Sequence, residues 1–333
     1  MLIGLDIGGT KTEAIVLDPS LNARGHAARA TNSRTPAHLV EGAVQTILEA
    51  MEQAGAARGQ VAMVGIGIPG QVEPETGEVR LAVNLHLTAF PLGAALSQAL
   101  QVPCRVENDV RAAAVGAYRS GGQDAARNLA YVNVGTGVSA GLILEGKLYR
   151  GAHGMAGEIG HIVTEPDGPL CNCGARGCLE TLVAGPAIAR MGREAVTAGE
   201  DTVLRRAGTI TAATVYEAAA SGDGVALRIT EQVGTTLGRA LHALVMSYDV
   251  ERIILGGGVT GAGELFLEAI RRAWAGQRAQ SALARALLRP EMLHLTEQGR
   301  NMVAYGAGVL AAEAAVGYVS ASADGSSFLT QTS

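Results

Sequence analysis

Aromatic side chains are scarce in this 333-residue chain, at 3% of the composition, with one tryptophan and three phenylalanines. A core with so few rings must be filled by aliphatic residues and close backbone contact, which suits a layered α/β enzyme better than a sandwich or a coiled coil. There are only four cysteines, better read as ligands or core residues than as a disulfide framework. Clusters of Lys and Arg are missing, and the formal net charge is −5. This argues against nucleic acid as the main partner, because phosphate-backbone affinity comes from basic groups that release counterions. No run reaches the roughly eighteen unbroken apolar residues that a membrane span requires. The opening MLIGLDIGGTK has no basic leader and is interrupted by Asp6 and by glycines, so it reads as neither signal peptide nor anchor. The expectation is a cytoplasmic protein, where thiols stay reduced and cysteines serve as ligands or core residues.

What is present is glycine and alanine in quantity, with 48% hydrophobic residues. The length suits two domains, since single cores stop growing well before it. LIGLDIGGTKTEAIVLD reads as two β runs joined at Gly8-Gly9. A helical period follows from about Pro36 to Ala54, then the buried-strand pattern VAMVGIGIPG. VPCRVEND reads as a strand leading into a helix near Val110, with Asp109 as its N-cap. YVNVGTGVSAGLILEGKLY repeats the opening hairpin when Leu5-Asp6-Ile7-Gly8 is laid on Val132-Asn133-Val134-Gly135. Two copies of one unit imply two similar lobes facing each other across a cleft that holds ligands. Helical patterns dominate from about Ala184 to Tyr248, and RIILGGGVTGAGELFLEAIRRAW reads strand, glycine turn and helix. After Val316 the chain is Ser/Ala-rich, with the composition of a flexible tail.

Gly8 and Gly9 let backbone N–H groups approach a polyphosphate, with Thr10 as hydroxyl donor and Lys11 supplying charge. Asp6 can hold Mg²⁺, directly or through water. An ordinary hairpin would use the same glycines, but a second copy at Gly135-Thr136-Gly137 favours phosphate. Gly256-Gly257-Gly258 follows an apolar strand and precedes a helix, a place for adenosine against bare backbone or a plain turn; no Walker lysine or dinucleotide fingerprint occurs. Asp109, at a strand–helix junction in Glu107-Asn108-Asp109, is what phosphoryl transfer to an alcohol needs to orient a hydroxyl and accept its proton. Capping a helix is the other role open to it.

His161, Cys171, Cys173 and Cys178 form a Cys₃His set that satisfies tetrahedral Zn²⁺ with no open position, so the ion would be structural. Gly174 and Gly177 permit the turns that gather the sulfurs. A redox pair or reactive thiols are the competing readings, and C-x-C is the wrong spacing for C-x-x-C chemistry. Cys104 sits alone in a strand pattern as a core residue. Glu158 and Glu180 bracket the cluster, as sugar-binding carboxylates or as the acid/base pair of a glycosidase. With Asn84 and Asn108 they make a set able to hold a polyol by bidentate hydrogen bonds.

LDIGGTK, GIGIPG, VENDVRAA, VGTG, GEIGH, CNCGARGCLE and ILGGGV, in this order over nearly the whole chain, resemble the ROK family (repressor, open reading frame, kinase) within the actin-like sugar kinase superfamily. The resemblance implies two ribonuclease-H-like (actin-like) lobes with ATP and sugar in an interdomain cleft. It implies Asp109 as catalytic base, zinc on His161 and the three cysteines, and sugar contacts from Gly70, Asn108, Glu158, His161 and Glu180. It further implies transfer of the ATP γ-phosphoryl group to a hexose, with glucose first and N-acetylglucosamine, N-acetylmannosamine, mannose or fructose as alternatives. The expected lobes are residues 1–108 with about 301–318, and residues 109–300 with the zinc loop, leaving 319–333 as the tail. A homodimer or homotetramer is also implied. A sugar-sensing repressor of the same family is a rival, but it needs a DNA-binding domain ahead of a hairpin that begins at residue 2. The chain departs from the family at Asn84-Leu85-His86-Leu87, where N-L-x-W is usual, at Val110-Arg111, where E-N-D-A-N is usual, and at Ser139-Ala140, where paired glycines are usual.

Overall fold

Leu2–Ile7 (β1) and Lys11–Leu17 (β2) form the expected hairpin, with Ile7 opposite Thr12 and Gly8 N donating to Lys11 O at 2.9 Å. The hairpin belongs to a computed structural model that describes residues 1–122, 126–297 and 299–323. These residues make a mixed α/β fold that divides into two units: Met1–Gly121 with Arg150–Gly154 and the chain from Gly299, and Gly122–Tyr149 with Met155–Gln298.

In the first unit the sheet continues through Ala23–Ala30 (β3) and Met63–Ile68 (β4). A smaller antiparallel sheet follows, made of Gln71–Glu73 (β5), Glu78–Ala82 (β6) and Leu87–Phe90 (β7). Cys104–Asn108 (β8) closes the main sheet in the order β3-β2-β1-β4-β8. The sheet's inner strands are almost wholly buried, and their continuous apolar runs are what two covered faces demand. Pro36–Gln53 (α1) starts at Thr35, whose side chain accepts from His38 N. Its apolar face of Leu39, Ala43, Ile47 and Met51 packs into one core with Leu5, Ile66 and Leu96. Leu92–Leu100 (α2) joins that core, and Asp109–Ala117 (α3) leads away from β8.

The C-terminal helix, Met302–Ala323, packs with backbone touching backbone. A Cβ on Gly4 would stand 1.8 Å from Ala304 O, one on Gly65 1.8 Å from Ala307 O, and one on Gly306 1.7 Å from Ala112 O. Only glycine permits this approach.

The second unit repeats the plan. Leu129–Val134 (β9), Val138–Leu144 (β10), Lys147–Tyr149 (β11), Arg252–Gly256 (β12) and Leu293–Leu295 (β13) lie in the order β11-β10-β9-β12-β13. The internal repeat read from the sequence holds to the residue: Asp6 pairs with Gly67 of β4 as Asn133 pairs with Gly256 of β12. Helices Glu180–Val183 (α4), Gly185–Thr197 (α5), Ala212–Ala220 (α6), Gly224–Tyr248 (α7), Glu264–Gln280 (α8) and Ala282–Leu287 (α9) complete it. Trp274 is fully buried in this core and donates its Nε1–H to Gly238 O at 2.9 Å.

Three details differ from the sequence reading. Asn108, not Asp109, caps α3, its side chain accepting from Arg111 N at 3.1 Å, while Asp109 is the first helical residue. The boundary expected after residue 108 falls after Gly121, because α3 is fastened to the C-terminal helix by the Gly306–Ala112 approach and by Gly116, whose Cβ would meet Met302 O at 2.4 Å. The tail expected from residue 319 is helical as far as Ala323, and 324–333 lie outside the described residues. Sequence reading also missed β3 and the β5–β7 sheet. Only Ala27 of β3 is buried, so this edge strand lacks an apolar alternation to betray it.

Gly306→Ala is expected to lower unfolding free energy by about 3 kcal/mol or more, since neither helix backbone can yield freely. Gly42→Ala, in the interior of α1 with nothing within 4 Å of the added methyl, should raise it by roughly 0.5–1 kcal/mol. Denaturant titration of both variants checks the contrast, and equal effects would contradict the packing described.

Candidate functional site

The first glycine turn is braced from β3's end. Thr31 N donates to Thr10 O at 3.0 Å, Thr31 Oγ1 donates to Gly8 O at 2.7 Å, and the Thr31 and Thr12 hydroxyls lie 2.9 Å apart. Thr31 was not legible as a site residue, because nothing in its local sequence marks it. The turn leaves Gly9, Thr10 and Lys11 exposed. Lys11 Nζ is ion-paired with Glu13, and Asn84 lies beside the turn, its Cβ 3.8 Å from where a Cβ on Gly9 would be. Asp6, at the end of β1, has its pKa pushed up to about 7. Burial is the main cause, reinforced by repulsion from Asp109 and Glu13 and opposed by the hydrogen bond that Asn301 Nδ2 donates at 2.8 Å and by Lys11. Asn301 is a second residue that sequence reading did not find, since it lies 295 positions away.

At the junction of β8 and α3 the same unit holds Asn108 and Asp109. Asn108 is buried, and its Nδ2 donates to Gly70 O at 3.1 Å while its Oδ1 caps the helix. Gly70 has φ +101, and a Cβ there would stand 2.2 Å from Leu81 O. Asp109 Oδ1 accepts from Val110 N at 2.8 Å, which fixes the carboxylate against the first turn. Behind them the buried Glu107 accepts from Arg111 Nε and Arg150 Nε, each at 2.7 Å.

The second unit carries Glu158, His161, Glu180 and the cysteines. The GEIGH segment lies flat on β10, because a Cβ on Gly157 would be 1.8 Å from Ala140 O and one on Gly160 2.0 Å from Val138 O. This sets Glu158 at the start of the single helical turn Ile159–His161. Ligand atoms of His161, Cys171, Cys173 and Cys178 all lie within 4.8 Å of one another, so this set could hold a metal ion. Cys173 Sγ and Cys178 Sγ are 3.6 Å apart, and Cys171 Sγ and His161 Nδ1 3.7 Å. Tetrahedral bonds of about 2.3 Å to sulfur and 2.0–2.1 Å to nitrogen give nearly those separations. Gly174 and Gly177 both have positive φ, and a Cβ on Gly177 would be 1.4 Å from Glu165 O. Burial pushes the Cys171 thiol up to about 12 and also raises Cys178, while the Ala175 N–H and the neighbouring thiols lower Cys173 to about 7. A cation placed among the ligand atoms would favour the thiolate form of all three cysteines. Glu180 Oε1 accepts from Cys171 Sγ at 3.1 Å, and its Oε2 would be 3.0 Å from a Cβ on Gly137. It therefore joins the cysteine loop to the second glycine turn. Cys104 is half-buried, and burial pushes its pKa up to about 12, the behaviour of a core thiol.

Gly135 N donates to Gly137 O at 2.9 Å across that turn, and Gly185 N donates to Gly135 O at 2.8 Å. Gly258 N comes 3.9 Å from a Cβ built on Gly135, so the second and third glycine clusters are neighbours. Gly256 admits no side chain, as a Cβ would be 2.0 Å from Tyr131 Oη, and Gly257 has φ +92. Beside them lies an open cavity of about 480 Å³ lined by Gly135, Thr136, Gly185, Pro186, Thr211 and Gly258, among others. Gly185-Pro186 at the start of α5 is a site feature that sequence reading missed, although Pro after Gly at a helix start signals it. The candidate residues thus divide: Asp6, Gly8–Lys11, Gly70, Asn84, Asn108 and Asp109 in one unit, and Gly135–Gly137, Glu158, His161, the cysteines, Glu180 and Gly256–Gly258 in the other. No helix among the described residues is long and apolar enough to cross a membrane.

Residues 2–314 match the family model described as ROK family. The chain is 34% identical over 279 residues to the glucokinase of Halalkalibacterium halodurans, covering 81% of this chain and 84% of that one. It is 33% identical over 274 residues to the N-acetylmannosamine kinase of Citrobacter koseri, covering 81% and 87%. Among solved structures it is similar to a ROK family glucokinase from Streptomyces griseus in complex with glucose and AMPPNP, with TM-score 0.77, 32% identity and coverage of 94% and 99%.

A raised carboxyl pKa means the folded state holds the proton more tightly than the unfolded one, so Asp6 costs stability progressively as pH climbs from about 4 to about 7. Asp6→Asn should therefore raise the melting temperature of the ligand-free protein by a few degrees at pH 8 and hardly change it at pH 4. Thermal scans across that range check the sign. Cys173→Ser should abolish bound metal and lower the melting temperature together, as read by elemental analysis and calorimetry; metal retained at wild-type stoichiometry would exclude Cys173 as a ligand.

Proposed function

The chain belongs to the ROK family, and on that premise we propose that it is an ATP-dependent hexose kinase converting glucose to glucose 6-phosphate. The observation that carries this reading is the likeness, over almost the whole chain, to a glucokinase solved with glucose and AMPPNP. The identity to an N-acetylmannosamine kinase keeps that hexosamine as the second substrate to test.

In this reading Gly8, Gly9, Thr10 and Lys11, with Gly135, Thr136 and Gly137, cradle the phosphates through backbone N–H groups. Adenosine takes the cavity beside Gly256, Gly257 and Gly258, where Thr136 and Gly185 line the wall. Lys11 exchanges its partner Glu13 for phosphate. The hexose is held by Gly70, Asn84, Asn108, Glu158, His161 and Glu180, whose carboxylates and amides pair with adjacent hydroxyls. Asp109 orients the accepting hydroxyl and takes its proton. A carboxylate, although a weak base, suffices because a loose transition state gives up that proton late. Positioning therefore matters more than basicity, and the hydrogen bond from Val110 N supplies it.

Asp6 fits a magnesium ion, since a carboxylate whose ionised form is disfavoured by burial and by neighbouring carboxylates would gain from a cation. Bound Mg²⁺ would neutralise charge on the phosphates. His161, Cys171, Cys173 and Cys178 fit Zn²⁺ with all four positions filled, so its contribution is to rigidify the loop and activate no water. A bound Zn²⁺ would hold Cys171 as a thiolate, and Glu180, whose Oε1 accepts from Cys171 Sγ in the metal-free chain, would then be available to sugar hydroxyls. Free hexose, ATP and reduced thiols coexist in the cytoplasm, the location we assign. A homodimer or homotetramer is the assembly we expect, and sizing chromatography tests it.

A panel of hexoses assayed with ATP and Mg²⁺ by coupled ADP release should give glucose the highest kcat/KM. Asp109→Asn should reduce phosphoryl transfer by roughly 10³-fold while hexose affinity stays within a few-fold. Turnover by that variant at the wild-type rate would remove Asp109 from its role, and absence of ADP release with every sugar would sink the kinase reading.

A further inference from the structure

Arg111 stands in the first turn of α3, two residues after Asp109, and is 2% exposed. Its Nε donates to Glu107 Oε1 at 2.7 Å and its Nη1 to Gly154 O. Glu107, likewise 2% exposed, also accepts from Asn108 N at 3.0 Å and, on its second oxygen, from Arg150 Nε at 2.7 Å. Two guanidinium groups thus share one buried carboxylate, and Arg111 Nη2 is buried with no hydrogen-bond partner among the described residues. Stability does not account for this cluster. Arg150 stays partly exposed, but the Arg111–Glu107 pair is buried with an orphaned donor, and such a pair is often no more stable than an apolar filling of the same volume.

What the cluster does is join two pieces of backbone. Glu107 immediately precedes Asn108 and Asp109, and the N–H of Asn108 is held by the same carboxylate oxygen as Arg111. Arg150 and Gly154 bound the short stretch that leaves the second unit's chain to belong with the first. Four residues beyond Gly154 the chain reaches Glu158. Arg150 anchors the start of this stretch to Glu107, and Arg111 anchors its end through Gly154 O. Between them the stretch runs past the smaller sheet, sharing a cavity wall with Val72, Glu73 and Arg80.

We propose that Arg111 and Arg150 are positioning residues for the phosphoryl transfer: through Glu107 they orient Asp109, and through the 150–154 stretch they hold the segment that delivers Glu158 to the hexose. This rests on the roles given to Asp109 and Glu158 above. Binding of the sugar and placement of the base are then coupled through one carboxylate, while the adenosine cavity, lined by other residues, is not touched by it.

The split between the two substrates tests this. Arg150→Met leaves Glu107 neutralised by Arg111, so the protein should fold. It should raise the hexose KM and lower kcat, each by roughly tenfold, with the ATP KM within about twofold. Arg150→Lys should restore most of both losses. His153→Ala, in the same stretch but outside the cluster, should match wild type. A loss of kcat alone with both KM values unchanged indicates a reduced active fraction and overturns the proposal, as do wild-type kinetics for Arg150→Met. If Arg150→Met does not fold, Arg150→Gln, which can still donate a hydrogen bond to Glu107 but carries no charge, must show the same split. These results are separable from the kinase reading itself: an inactive wild-type chain sinks that reading, whereas an active wild type with an unaltered Arg150→Met sinks only this one.

Discussion

Contact between bare backbones is the constraint on which the rest of this structure depends. The C-terminal helix lies on its sheet because Gly4 and Gly65 leave no room for even a methyl group, and it is locked to α3 at Gly306. In the second unit the GEIGH segment lies on β10 in the same manner at Gly157 and Gly160. With so few aromatic residues to fill space, elements approach closely or leave voids, and voids are costly. Glycine thus does two jobs in one chain: it packs secondary structure and it bares N–H groups at the turns proposed to hold phosphate.

The packing governs where polar chemistry can stand. Backbone that is pressed together is rigid, so Glu158, His161, Asn108 and Asp109 project from points that side-chain rearrangement cannot shift. The polar groups behind them are then spent on holding orientation. Asn108 uses both ends of its amide, on Gly70 and on the start of α3. Asp6 is kept near neutrality by burial and by neighbouring carboxylates, a state that a cation would relieve. Glu180 stands between a thiol and a glycine turn, so the cysteine loop and the second glycine turn share one carboxylate.

Much of the fold and the candidate site was legible in the residues. The hairpin with its glycine turn, the α1 helix, the duplicated unit and the Cys₃His set all rest on local signals: apolar period, glycine punctuation and ligand spacing. The duplication was visible because Leu5-Asp6-Ile7-Gly8 and Val132-Asn133-Val134-Gly135 have one pattern, and the strand registers agree. Less local features escaped. Thr31 and Asn301 brace the first turn and Asp6 from distant positions, and β3 exposes nearly all its side chains.

By itself, then, the sequence determined the hairpins, the buried strands and the main helices, and which side chains can ligate a metal or accept a proton, because those properties reside in residue type and short-range spacing. Tertiary structure alone decided which side chain caps α3, where one unit gives way to the other, and that Glu107 would be shared by Arg111 and Arg150. Each of those outcomes is a competition among partners far apart in the chain, settled by distance and burial once the sheets have assembled, and neither quantity exists before folding.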